Sequence, residues 1–167
     1  GTGGSDTAGT GGAATGGAGT GGADPTDAIP MEQLSAGNLH TCGLLSDATV
    51  VCWGSNEAAQ AAPTAPGLHT AISAGTGSTC SLNPAGEIQC WGTNSFHQMT
   101  PPSGYVWKQV SCGVGHTCGI DEDDAVRCWG EDSGGQVAGT PTDGEWAYVF
   151  AGLLNTCAIE LGGSVLC

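Results

Sequence analysis

Positive charge is almost missing from this chain. Of its 167 residues two are Lys or Arg, against 16 Asp or Glu, and the formal charge is −14. Clustered cations supply most of the affinity of proteins for nucleic acids. Two of them exclude DNA, RNA and anionic membrane surfaces as partners. Long apolar runs are absent as well. Nothing approaches the roughly 20 residues of a spanning helix, and no basic stretch followed by an apolar core marks a secretion signal. If the chain is exported, its leader or a lipid anchor lies upstream of Gly1. Capped helical patterns are lacking too. Gly-x-Ser-x-Gly, His-Glu-x-x-His and phosphate-loop motifs do not occur, so neither catalysis nor a cofactor is expected.

What is present divides into two regions. Residues 1–30 hold 11 Gly, six Thr and six Ala, with Thr-Gly-Gly starting at Thr2, Thr10, Thr15 and Thr20. So little apolar surface cannot offset the entropy lost on folding, and the segment reads as a low-complexity tail or tether. Residues 31–167 are repetitive. Ser35-Ala36-Gly37 returns as Ser73-Ala74-Gly75, Ser111-Cys112-Gly113 and Phe150-Ala151-Gly152, at spacings of 38, 38 and 39. Cys52-Trp53-Gly54 returns as Cys90-Trp91-Gly92 and Cys128-Trp129-Gly130, and Gln60, Gln98 and Gln136 keep the period. Four units follow, 31–68, 69–106, 107–145 and 146–167. Within each, β-formers around the second Cys and turn formers between the two Cys describe a hairpin flanked by further short strands. The class is all-β.

Eight of the nine Cys stand ten apart in pairs: Cys42 and Cys52, Cys80 and Cys90, Cys118 and Cys128, Cys157 and Cys167. In a hairpin of that length the members of a pair face each other across neighbouring strands, within disulfide reach. One disulfide per unit is expected, in an oxidising compartment. Zinc is the alternative use of paired thiols, but one pair per unit makes four ligands only if units converge. No metal site is assigned. Cys112 is left as a free thiol where the other units carry Ala. It reads either as a small buried residue or as a thiol for intermolecular bridging.

The pattern Gly37-x-x-His40-Thr41-Cys42-x-Leu44, followed by Val50-x-Cys52-Trp53-Gly54-x-Asn56-x-x-x-Gln60, resembles the regulator-of-chromosome-condensation (RCC1) repeat. Its Cys-bearing form is similar to that of secreted bacterial proteins. The resemblance covers 31–167 and implies a β-propeller arc in which each repeat is one four-stranded blade, in a family whose rings have about seven blades. The acidic surface, with 13 carboxylates and two cations over 31–167, does not match the basic chromatin-binding relatives.

Trp53, Trp91 and Trp129 share one repeat position and are expected to pack between blades. Trp107, Trp146 and His69 share another, also held by Met31; a position so exchangeable is expected to be partly exposed, and these are the candidate contact residues. His40 and His116 are expected to hydrogen-bond a turn, and Asp121 to Asp124 to form a solvated acidic turn. Four blades leave two open ends, and unpaired edges invite association. The expectation is an extracellular or bacterial cell-surface module that associates with itself. The alternative is a module that recognises another extracellular protein or a glycan through one propeller face.

Overall fold

The computed structural model describes residues 29–63 and 67–167. Most of the tail assigned to 1–30 therefore lies outside the described residues. The described chain is four antiparallel three-stranded sheets, one per repeat, each ordered as in sequence. The first blade is β1 (Met31–Ala36), β2 (His40–Leu45) and β3 (Val50–Gly54); the second is β4 (Ala71–Ala74), β5 (Ser78–Leu82) and β6 (Ile88–Gly92). The third is β7 (Trp107–Cys112), β8 (His116–Asp121) and β9 (Val126–Gly130), and the fourth β10 (Trp146–Ala151), β11 (Thr156–Glu160) and β12 (Val165–Leu166). The lead strands β1, β4, β7 and β10 touch in series, so the blades stack as an arc.

The blades have three strands where the RCC1 resemblance implies four. The segments that follow β6 and β9 are turns and bends. They carry Pro101, Pro102 and Pro141, which have no N–H to give a ladder, and Gly134, Gly135 and Gly139, which cost strand entropy.

In the hairpins, Cys42 lies opposite Cys52, Cys80 opposite Cys90 and Cys118 opposite Cys128. All four pairs are disulfide-bonded, with Cα atoms 4.0–4.1 Å apart. This places one covalent clasp on the same face of every blade. The hairpin turns share a left-handed residue, Ala48, Gly86, Asp124 and Gly163, at φ of 61–88°.

Each blade thus has a disulfide face and an opposite face, and in the first three blades the opposite face carries the repeated Trp. The core consists of the seams where one meets the other. Cys42 and Leu44 pack on Ile72; Cys80, Leu82 and Ile88 pack on Trp107, Val110 and Trp129; Cys118, Ile120 and Val126 pack on Trp146, Val149 and Ala158. A β-bulge between Trp107 and Gln109 turns the Trp107 ring over Gly119, where a Cβ would come within 2.6 Å of the ring. Met31 covers Gly43 in the same way in the first blade.

A clasp of sequence separation 10 is worth about 2.7 kcal/mol in the chain-entropy account. Replacing Cys80 and Cys90 together by Ala should lower the unfolding free energy in urea by an amount of that order. The change adds the loss of packing against Trp107 and Trp129.

Candidate functional site

The seams show what a blade face is built to bind. Three polar devices recur. The first uses the repeated Ser. Ser35, Ser73 and Ser111 accept hydrogen bonds through Oγ from the backbone N–H groups of Ala74, Cys112 and Ala151 of the next blade, at 2.8–2.9 Å. The repeated Gly completes this motif: a Cβ on Gly37 or Gly75 would overlap the carbonyl of the next blade's Gly75 or Gly113. The second device is a two-point clamp. Gln33 bonds both the N–H and the C=O of Ile72, and Gln109 does the same to Val149.

The third device uses the loops after β3 and β6. Gln60 and Gln98 fold back on their own loops, accepting from the N–H groups of Ala58 and Phe96. This aims their backbone carbonyls at the next blade. There the indoles of Trp91 and Trp129 donate to them at 2.8 Å. Thr79 Oγ1 also donates to the Gln60 carbonyl, and His40 Nε2 sits 2.7 Å from that hydroxyl. His116, Thr156 and Gln136 repeat the relay in the third seam. His40 and His116 therefore bond a threonine of the neighbouring blade, not a turn.

The Thr hydroxyl gives its proton to the carbonyl, so each imidazole donates from Nε2. Nδ1 is left bare, buried and without a partner in both His40 and His116. Burial lowers both pKa values, and the nearby charges of Glu131 and Asp132 offset this in part at His116. Protonation would bury an N–H⁺ with no acceptor.

Trp107, Trp146 and His69 are buried, contrary to the partial exposure expected of them. Trp107 and Trp146 fill seams, each packed over a small residue of its own middle strand; the ring of Trp107 lies 5.3 Å from that of Trp129. Trp53 departs from its repeat mates in the other direction. It is 48% exposed, while Trp91 and Trp129 are 2% and 7% exposed. Among the described residues no preceding blade supplies a loop carbonyl to its indole, as Gln60 and Gln98 do for Trp91 and Trp129. Cys112 is a free, buried thiol hydrogen-bonded near Ser73 and Thr117, and burial pushes its pKa up to about 11. A buried, protonated thiol is a poor nucleophile and a poor bridging partner.

The acidic turn is only partly solvated. Asp121 is buried, and Arg127 Nε donates to its carboxylate at 2.6 Å. Burial alone would raise the Asp121 pKa, but Arg127 and the N–H groups of Ala125 and Asp123 outweigh it and hold it low. Lys108 pairs with Asp124 at 2.8 Å, and Arg127 also lies 3.9 Å from the Tyr105 ring centre. Both cations of the chain are thus engaged within the third blade. No cluster of three metal-ligating side chains occurs among the described residues.

Two blade faces have no neighbour among the described residues. The Trp-bearing face of the first blade presents Met31, Leu34, Val51 and Trp53, all exposed. The disulfide face of the fourth presents Val165 beside Cys157–Cys167, with Tyr148 and Phe150 at the places of Gln109 and Ser111. The two rings are 55% and 51% exposed and stack on each other at 6.4 Å. Sequence reasoning missed this pair, although the break of Ser-Ala-Gly to Phe-Ala-Gly marks it.

Residues 32–60 and 107–136, in the first and third blades, match the family model of the regulator of chromosome condensation (RCC1) repeat. The chain is RCC1-like over those two segments. The four-bladed arc is similar to the ectodomain of the receptor kinase CR4 from Physcomitrella patens, at 27% identity and a TM-score of 0.71, over 83% of this chain and 41% of that one. It is also similar to the CRINKLY WD40 ectodomain of the Arabidopsis thaliana receptor kinase ACR4, at 26% identity and a TM-score of 0.71, over 84% and 56%. Yeast RCC1 (Prp20), in its complex with Kap60, shares the fold at 16% identity and a TM-score of 0.70, over 83% and 43%. The chain thus spans about half of the length of each of these proteins. No curated protein matches the sequence.

A histidine kept neutral by folding supports the native state above its unfolded pKa, near 6.5, and that support is lost as pH falls below it. The midpoint of thermal unfolding should drop between pH 7.5 and pH 5.5. It should drop less in the variant carrying both His40→Gln and His116→Gln, measured by calorimetry.

Proposed function

We propose that this chain is a non-enzymatic extracellular interaction module that associates with copies of itself through its two open blade faces, with residues 1–30 as its tether. The observation that carries the proposal is the exposure of residue types that the internal seams bury: the repeated Trp, buried as Trp91 and Trp129; the branched aliphatic of the lead strand, buried as Ile72, Val110 and Val149; and the clasp-flanking aliphatic, buried as Ile88 and Val126 and partly as Val50. Apolar faces of that kind on an acidic module mark interaction sites. The four disulfides support an oxidising location outside the cytosol. The similarity to receptor-kinase ectodomains agrees with it.

The same similarity favours a second reading, in which the arc recognises a different extracellular protein or a glycan. Sedimentation velocity from low to high micromolar concentration separates the two. Self-association should rise with concentration and with added salt, because salt screens the repulsion between chains of charge −14. A monomer at every concentration favours the second reading.

A further inference from the structure

We infer that two copies of this chain join head to tail, the disulfide face of the fourth blade of each seated on the Trp-bearing face of the first blade of the other. This rests on the self-association reading and gives it polarity and stoichiometry.

The internal seams supply the rule. All three join unlike faces, and none joins like to like. The two faces left without a neighbour among the described residues are one of each kind, so a second copy offers each face the type of surface that its counterparts bind within the chain. The apolar elements are in place on both sides. Val165 stands where Val50, Ile88 and Val126 stand beside their clasps, and Leu34 stands where Ile72, Val110 and Val149 lie.

The polar devices differ in a way that also points to an aromatic contact. Tyr148 and Phe150 replace the Gln and Ser that grip the next lead strand. The seam between the second and third blades already dispenses with one grip: Ala71 stands at the Gln position, and Trp107 and Trp129 take up the contact with their rings. Tyr148 and Phe150 would work in that manner against Met31 and Leu34 of the other copy. Neither open face carries a cation, because Lys108 and Arg127 are both spent in the third blade. The contact is therefore apolar. Two arcs of four described blades joined at both ends make a ring of eight, one blade more than the family's ring of about seven and within the range of propellers. The contact is heterologous, but it closes after two copies.

Charge placed on either face tests this. Leu34→Arg alters the Trp-bearing face, and Tyr148→Arg with Phe150→Arg alters the disulfide face. In light scattering after gel filtration the wild type should be a dimer and each variant alone a monomer. An equimolar mixture of the two variants should recover a dimer, because one intact contact remains, and that recovery shows both variants folded. A wild-type monomer overturns the self-association reading and this inference together. A wild-type dimer that persists in either variant alone leaves self-association standing and overturns the head-to-tail contact, as does a mixture that stays monomeric. Open-ended wild-type polymers overturn closure by two copies.

Discussion

The structure depends on one contact made three times: the clasped face of a β-meander laid against the Trp-bearing face of the next. The chain has few large aliphatic residues, and no single three-stranded sheet buries a core of its own. Each seam combines a disulfide, two or three branched side chains and a short set of backbone-directed hydrogen bonds. The Ser-x-Gly pair in the lead strand shows how economical this is. The Ser pins the neighbouring strand by its N–H, and the absence of a side chain on Gly lets the two backbones approach. Stability in such an array is close to a sum over neighbours, so a terminal blade face is the same surface as an internal one, without its partner.

The parts of this arrangement that were legible in the sequence are local ones. The hairpin register follows from the ten-residue separation of the paired Cys, because both partners lie on adjacent strands joined by one turn. The strand class and the repeat phase follow from residues that recur at fixed spacing. Gln60, Gln98 and Gln136 were visible as a period, but their task was not: the side chain serves its own loop, and the contact to the next blade is made by the backbone carbonyl. The partners of His40 and His116 are hidden for the same reason, since each is a threonine just over one repeat away.

The Trp residues show the limit more sharply. Trp53, Trp91 and Trp129 are equivalent in sequence and unlike in environment, because burial at that position is conferred by the preceding blade. At Trp107 and Trp146 partial exposure is the expectation because Met and His occupy their place elsewhere. That exchange reflects a paired volume: the large side chain rests over a small one in the middle strand, Gly119 for Trp107 and Ala158 for Trp146. A single repeat position carries no trace of that pairing. The missing fourth strand has a simpler origin in prolines and glycines, which the family resemblance overrode.

If the open faces are seams without a neighbour, the side chains on them must be as accessible in solution as their repeat mates are protected. Hydroxyl-radical footprinting of the dilute monomer, read by mass spectrometry, measures this residue by residue. The account predicts fast oxidation of Met31, Trp53, Tyr148 and Phe150 and slow oxidation of Trp91, Trp107, Trp129 and Trp146. Trp53 oxidised as slowly as Trp91 would contradict it.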